Sequence, residues 1–331
     1  MSRYRQALPQ LRDSGFFLTD GGLETTLVFH QGIELPYFAA FDLLKDAPGI
    51  ELLRDYFRTY VRIARRQLVG IVLESPTWRA NPDWAAKLGY DAAALERVNR
   101  SSIALLEEVR AELEAPYTPI VVSGNLGPRG DGYQPGARMS AGEAADYHGP
   151  QMRTFAATAA DMVAAFTMNY VEEAVGIAMV AREERMPLAL SFTVETDGRL
   201  PSGDSLAHAI ERVEAASDRH PVYYMINCAH PLHFERVLSE LGALRLRIRG
   251  LRANASTRSH AELDASTSLD SGDPVELGEQ YVRLREWLPG LAVVGGCCGT
   301  DHRHVEMIGR AFQREAHQPV SPCKRHVMTM I

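Results

Sequence analysis

Short apolar runs and longer amphipathic segments alternate eight times along this chain, which restricts its fold more than any other feature. The apolar runs predict strands at residues 16–20, 70–74, 119–124, 162–167, 187–192, 222–227, 244–251 and 291–294. Helical spacing predicts helices at residues 52–68, 91–113, 141–160, 172–185, 205–217, 231–242, 274–287 and 302–312. Eight successive strand–helix units indicate a single (β/α)8 TIM barrel. A doubly wound sheet is the alternative, but no Gly-x-Gly-x-x-Gly motif opens a helix here.

The barrel prediction uses nearly all of the 331 residues. We expect one domain, residues 1–331, with its core at about 16–312 and a tail at 313–331. Polar residues without periodicity predict a long loop at 256–273. The tail after Gln318, which carries Cys323, is expected to pack outside the barrel or to be mobile. No cobalamin or folate module is expected beside the barrel.

Composition narrows the class of protein. Apolar residues make up 46% of the chain, charged residues make up 23%, and the net charge is -7. A nucleic-acid partner is not expected, because phosphate binding needs a basic surface. No apolar run reaches membrane-spanning length, and the N-terminus lacks the apolar core of a signal peptide. Four cysteines are too few for a disulfide framework in so long a chain. We therefore expect a cytoplasmic protein.

Three of the cysteines follow predicted strands. Cys297 and Cys298 are adjacent, stand between glycines and follow the eighth strand, and Cys228 follows the sixth. The carboxyl ends of barrel strands meet on one face, so these thiols are expected to lie close together. Thiolates suit a soft ion such as zinc. Buried free thiols or a redox couple are the alternatives, although a disulfide between adjacent cysteines is geometrically awkward.

The same sorting by strand ends collects further polar and aromatic residues at the expected active face. These are Asp20, Glu24, Glu74, Trp78, Asn81, Asn125, Asn169, Glu195 and Asn254.

Several motifs resemble the zinc-dependent homocysteine S-methyltransferase family, which includes the S-methylmethionine– and betaine–homocysteine methyltransferases. The most specific are Gly295-Gly296-Cys297-Cys298-Gly299-Thr300-Asp301 together with Asn227-Cys228. Weaker similarities are Asp20-Gly21-Gly22, Gly127-Pro128, Glu172-Glu173-Ala174, Ser191-Phe192-Thr193 and Asp197-Gly198-Arg199-Leu200. The resemblance extends from about Phe16 to Phe312.

The resemblance implies a barrel in which Cys228, Cys297 and Cys298 hold Zn²⁺ as thiolates. The fourth position is then open for the thiol of the acceptor, homocysteine, which attacks a methyl group on an activated donor and gives methionine. The donor stays open among S-methylmethionine, S-adenosylmethionine, betaine, methyl-folate and a corrinoid. A separate corrinoid protein or a second copy of the chain stays open as a partner.

Two positions depart from the family pattern, Phe166 and Glu24, the second of which stands where relatives often have glycine. Relatives carry a glutamate near the end of strand four that holds the amino group of homocysteine, and Phe166 stands there in this chain. Glu24 is the candidate to take over that contact, with a helix N-terminal acid as the equal alternative. Asp20 and Gly21 are further candidates for substrate binding, and Asn254 is a candidate for the substrate carboxylate. Another thiol acceptor is therefore the alternative to homocysteine.

Aromatic residues suggest where a cationic methyl donor could bind. Trp78, Trp84 and Tyr133 could form a surface for cation–π contacts, although packing is the commoner role of each. Two other classes of function are open. One is a non-catalytic zinc or redox protein that uses the same thiols. The other is a metal-free barrel lyase that uses Asp20 and Glu24 as acid and base.

Overall fold

The computed structural model describes residues 2–12, 15–266 and 268–317 and confirms the single (β/α)8 barrel. Eight parallel strands follow one another in sequence order, and the last pairs with the first. Their bounds are β1 Phe17–Leu18, β2 Gly70–Glu74, β3 Ile120–Leu126, β4 Met162–Met168, β5 Leu188–Phe192, β6 Tyr223–Asn227, β7 Ile248–Ala253 and β8 Val293–Gly296. The tail after Gln318, with Cys323, lies outside the described residues.

Helices surround the barrel. They are α1 Leu23–Thr25, α2 Ala47–Gln67, α3 Pro82–Lys87, α4 Ala92–Leu113, α5 Ala141–Ala156, α6 Val171–Glu183, α7 Leu206–Ser217, α8 Pro231–Phe234, α9 His260–Asp264, α10 Pro274–Leu284 and α11 His302–His317. Within the described residues, no helix is both long enough and apolar enough to cross a membrane.

The long helix α2 shows how local sequence sets these bounds. The Asp46 side chain accepts a hydrogen bond from the backbone N–H of Gly49 at 2.8 Å, which caps the first turn. The helix ends at Gln67, and the next residue, Leu68, adopts a left-handed conformation with φ of 56°. Between these ends, Leu53 and Phe57 are fully buried against the barrel, so one face of the helix joins the core.

The amino end of the barrel is closed by the N-terminal segment. The buried Asp161 carboxylate accepts hydrogen bonds from the backbone N–H groups of Arg3 and Tyr4, at 2.8 and 2.7 Å. Arg110 donates to the same carboxylate at 2.6 Å. Leu8 joins the apolar cluster inside the barrel. The opposite end, where the strands terminate, is left for polar side chains.

Three predicted segments were wrong in detail. Residues 231–242 are not one α-helix, because α8 ends at Phe234 and a 3₁₀ helix, Glu235–Arg247, follows it. Gly242 interrupts this segment with φ of 52°, and β7 begins only at Ile248. The predicted loop 256–273 contains α9, whose first turn is closed by a capping box between Ser259 and Glu262.

Candidate active site

The three cysteines predicted to act together lie together at the carboxyl ends of two strands. Cys228 follows β6, and Cys297 and Cys298 follow β8. Their sulfur atoms all lie within 4.8 Å of one another, and the Sγ atoms of Cys228 and Cys298 are 4.0 Å apart. Two thiolates on a tetrahedral zinc are about 3.8 Å apart, given Zn–S bonds of about 2.3 Å. We call these three residues the sulfur cluster.

The structure joins two of these cysteines. Cys228 and Cys297 form a disulfide whose Cα atoms are 5.4 Å apart, whereas Cys298 is not part of this bond and is exposed. The disulfide therefore does not join the adjacent cysteines, Cys297 and Cys298. A disulfide sulfur is not a thiolate, so reduction of this bond must precede the binding of a metal by all three residues.

The end of β7 holds both cysteine loops in place. The N–H of Cys228 donates to the carbonyl of Arg252 at 3.1 Å, and the N–H of Cys297 donates to the carbonyl of Ala253 at 2.9 Å. Cys228 itself has a left-handed backbone with φ of 54°. A non-glycine residue adopts this conformation only where its surroundings fix it.

His260, which was not predicted to belong to the site, is hydrogen-bonded to the backbone of Cys228. Nε2 of His260, at the start of α9, donates to the carbonyl of Cys228 at 2.5 Å, and Nδ1 lies 3.1 Å from a carboxylate oxygen of Glu195. The Tyr133 ring stacks on the imidazole at 3.8 Å, and its hydroxyl lies 3.5 Å from Sγ of Cys298. The pattern Ser259-x-x-Glu262 was the sequence signal for the helix that carries His260.

Replacing His260 by alanine is expected to weaken metal binding by about 10- to 100-fold, the usual effect of losing a residue that orients a ligand. The imidazole fixes the carbonyl of Cys228, so its loss frees the strained backbone beside one sulfur. Competition with a chromophoric chelator measures the affinity. His260→Gln, which can still donate a hydrogen bond, serves as the matched control. Equal affinities in wild type and His260→Ala would contradict this role.

Asp20 is part of a buried ion pair that sequence analysis did not predict. Its Oδ1 lies 2.7 Å from Nη2 of Arg252, and its Oδ2 accepts a hydrogen bond from Tyr56 at 2.9 Å. Both charged side chains are under a tenth exposed. Burial by itself would lower the pKa of Arg252, but the charges of Asp20 and Glu74 outweigh it and raise that pKa. Arg252 is therefore a fixed cation at the barrel mouth.

Phe166, one of the two positions that depart from the family pattern, lies against this cation. The guanidinium carbon of Arg252 is 5.1 Å from the centroid of the Phe166 ring. The next residue, Thr167, has φ of 63°, and Asn227 bonds to its N–H and hydroxyl, each at 2.9 Å. The amide of Asn227 thus anchors the end of β4 beside Cys228, which explains the pairing of asparagine with cysteine in the motif.

Glu74 lies at the end of β2 and is 4% exposed. Burial raises its pKa from 4.5 to about 7, against the opposing charge of Arg252. The folded protein therefore keeps this proton at pH values where the unfolded chain has lost it. Since the folded state binds more protons between these two pKa values, stability falls as the pH rises through this range.

Glu74→Gln is expected to remove this pH dependence, because glutamine mimics the protonated acid. Between pH 6 and pH 8, wild type should lose about 1 kcal/mol of unfolding free energy relative to the variant. Urea unfolding at the two pH values measures the difference. If the unfolding free energy changes equally with pH in both proteins, folding does not raise the pKa of Glu74.

The other predicted substrate contacts lie at the same end of the barrel. The carbonyl of Gly21 accepts hydrogen bonds from Tyr56 and Arg252 at 3.1 and 3.0 Å. Glu24 is half-buried in α1, and burial raises its pKa. Asn254 is buried, and its Oδ1 makes no hydrogen bond within the described residues. The structure thus gathers these groups at the end of the barrel that carries the sulfur cluster.

The predicted aromatic surface is already occupied by a cation of the protein. The guanidinium carbon of Arg79 lies 4.2 Å from the Trp78 ring centroid and 3.8 Å from that of Trp84. Nη1 of Arg79 also donates to the carbonyl of Gly130 at 2.9 Å. The two tryptophans and Tyr133 therefore do not form one open surface for a cationic donor.

Comparison with known proteins identifies the family. The sequence model of homocysteine S-methyltransferases matches residues 17–312. The chain belongs to this family. Homocysteine S-methyltransferase 3 of Zea mays is 24% identical, and the alignment covers 93% of each chain. Homocysteine S-methyltransferase 1 of Arabidopsis thaliana is 22% identical, with 91% of this chain and 94% of the relative covered.

Solved structures of a homocysteine S-methyltransferase share the fold. The metallated form of the Escherichia coli homocysteine methyltransferase MmuM has a TM-score of 0.72 and 19% identity, with 91% of this chain and 99% of that chain covered. Its oxidized form has a TM-score of 0.72 and 20% identity, with 92% and 97% covered. The barrel of this homocysteine S-methyltransferase family member therefore matches across nearly its full length.

Proposed function

We propose that this protein is a zinc-dependent S-methyltransferase that methylates homocysteine to give methionine. The observation that carries the proposal is the sulfur cluster, in which three cysteine sulfur atoms from two strand ends lie within 4.8 Å in a barrel of this family. Three sulfur donors suit zinc better than a hard cation, and three protein ligands leave one position open. When bound, zinc would supply the charge that keeps an acceptor thiol as thiolate at neutral pH.

The chain's own residues would order this centre. The end of β7 and the imidazole of His260 fix the loop of Cys228, and the N–H of Ala255 donates to the carbonyl of Cys298 at 3.0 Å. The hydroxyl of Tyr133 lies 3.5 Å from Sγ of Cys298. Fixed ligands reduce the reorganisation needed when the acceptor binds.

The proposed reaction is a displacement at a methyl carbon. The acceptor sulfur forms the new S–CH3 bond while the bond between that methyl group and the donor breaks. The bonding electron pair leaves with the donor, and the acceptor's thiol proton is released. An onium donor such as S-methylmethionine suits this step, because its leaving group departs neutral. Asp20, Gly21, Glu24 and Asn254 are retained as proposed substrate contacts.

Incubation with homocysteine and single donors tests the function. The reduced, zinc-loaded protein is given S-methylmethionine, S-adenosylmethionine, betaine or methyl-folate, and methionine is measured by mass spectrometry. Addition of a separate corrinoid protein extends the panel. Methionine formation with at least one donor is expected. Absence of methionine with every donor, in protein shown to hold zinc, would contradict the proposal.

The disulfide between Cys228 and Cys297 favours one alternative, a protein that uses its thiols for redox sensing or metal storage. We propose instead that the protein works in the cytoplasm, where thiols stay reduced. Thiol counting and zinc analysis before and after mild peroxide, alongside the methyl-transfer assay, distinguish the two. A protein that cycles its thiols but never transfers methyl would support the alternative. We also retain the proposal that residues 1–331 form one domain.

A further inference from the structure

Arg252 is hydrogen-bonded to both cysteine loops, once through its side chain and once through its backbone. Its Nε donates to the carbonyl of Gly296 at 2.9 Å, one residue before Cys297. Its own backbone carbonyl accepts the N–H of Cys228 at 3.1 Å. The residue thus links the two cysteine loops, next to the sulfur cluster.

The hydrogen bonds of this guanidinium leave one nitrogen for a ligand. Nη2 bonds to the carbonyl of Gly21 at 3.0 Å and pairs with Asp20 at 2.7 Å. In the described part of the chain, Nη1 makes no hydrogen bond, and it is not fully buried. Nη1 therefore keeps access to solvent. Two N–H groups of a cation in a largely buried setting form a strong receptor for a carboxylate.

The same surroundings offer little to an ammonium group. The charge of Asp20 is matched by Arg252, and the Asp20 carboxylate also accepts from Tyr56. Phe166 presents a ring to the guanidinium and no carboxylate to a ligand. Glu24 is half-buried in α1, and burial raises its pKa. Oδ1 of Asn254, which has no hydrogen-bond partner among the described residues, is a neutral acceptor and attracts a cation less strongly than a carboxylate does.

We propose that Arg252 determines the acceptor class: the site binds short thiols through their carboxylate, and an α-ammonium group is not required. This inference rests on the proposed function, because it concerns the acceptor of the same reaction. Homocysteine then binds by its sulfur and its carboxylate. Its desamino analogue, 4-mercaptobutanoate, binds equally well.

Three thiols of the same chain length test the inference on the reduced, zinc-loaded wild-type protein. Homocysteine carries both charged groups, 4-mercaptobutanoate lacks the ammonium, and 3-mercaptopropylamine lacks the carboxylate. Calorimetry gives the dissociation constant of each thiol. The three thiols differ in pKa, so each constant is corrected to the concentration of the thiolate form. Loss of the ammonium should change binding by less than about 3-fold, and loss of the carboxylate should weaken it by about 10- to 100-fold.

Opposite selectivity would overturn the inference. If 4-mercaptobutanoate binds at least tenfold more weakly than homocysteine, the ammonium is recognised and Arg252 does not set the acceptor class. This result is separable from failure of the proposed function, because binding is measured without a methyl donor. If the three thiols bind with the expected selectivity but none of them is methylated, the proposed methyltransferase function is contradicted and the inference about Arg252 is not.

A variant at Phe166 adds a second readout. Phe166→Glu places a carboxylate beside Arg252, where it competes for the guanidinium and offers a partner to an ammonium. The preference for homocysteine over 4-mercaptobutanoate should then rise by about tenfold relative to wild type. Phe166→Gln, which has nearly the same shape but no charge, is the matched control and should not shift the preference. An unchanged preference in Phe166→Glu would contradict the role assigned to Arg252.

Discussion

Replacing Cys298 by alanine is expected to lower methyl transfer by more than about 100-fold. Loss of a residue that only orients a metal ligand costs about 10- to 100-fold, so loss of a ligand should cost more. The Sγ of Cys298 lies 4.0 Å from that of Cys228, and Cys298 is the exposed member of the sulfur cluster. Without it, two thiols remain, and the metal loses both affinity and a defined open position.

Cys323 provides a matched control for this experiment. It is the chain's fourth cysteine and is not one of the three predicted ligands. Cys323→Ala should keep the zinc content and the kcat of wild type, whereas Cys298→Ala should lose both. Atomic absorption and the rate of methionine formation are measured on the same samples. If Cys298→Ala keeps zinc and activity, the sulfur cluster is not the catalytic centre.

Arg252→Met is expected to lower the free energy of unfolding by about 3–5 kcal/mol, the usual cost of breaking a buried ion pair. The substitution leaves Asp20 buried with Tyr56 as its remaining side-chain partner. The double variant Asp20→Asn/Arg252→Met removes both charges and should recover most of this loss. Urea unfolding of the reduced, metal-free protein gives the free energy of unfolding of wild type, Asp20→Asn, Arg252→Met and the double variant, which together form a double-mutant cycle.

A surface pair is the control for the buried one. Arg100 and Glu96 form an ion pair at 2.8 Å on α4, and both side chains are more than 40% exposed. Arg100→Met should therefore cost less than about 1 kcal/mol. If Arg252→Met costs no more than Arg100→Met, the barrel mouth does not depend on its buried cation.

The cysteine positions could be predicted from the sequence because a barrel brings the carboxyl ends of its strands together. Cys228 and Cys297 are 69 residues apart in the chain, yet they are bonded in the structure. The link itself could not be predicted, because the distance between two strand ends depends on how the barrel closes. The metal-ligand role of the three residues stays a prediction.

Arg252 was missed because the seventh strand was predicted to end one residue before it. The strand continues to Ala253, so Arg252 is part of it. Alternate residues of a strand face the same side, and the side chain of Arg252 therefore faces the inside of the barrel, as position 250 does. An arginine between the buried residues Leu251 and Ala253 was the available signal. The identity of its partner, Asp20, depends on β1 and β7 both flanking β8, which only the closed barrel establishes.

His260 was missed for a different reason. The segment 256–273 has no apolar periodicity, so it was predicted to be a loop. The helix within it is only five residues long and is fixed by its capping box and by contacts of His260 with Glu195 and Cys228. Short helices of this kind depend on tertiary contacts more than on their own propensity, so periodicity does not reveal them.

Zinc removal and return, followed by methyl transfer, test the central claim most directly. The reduced protein should contain about one zinc per chain, lose both zinc and methionine formation on treatment with a strong chelator, and regain both when zinc is restored. Full methyl transfer by protein shown to be metal-free would contradict the account, because the sulfur cluster would then have no metal to hold.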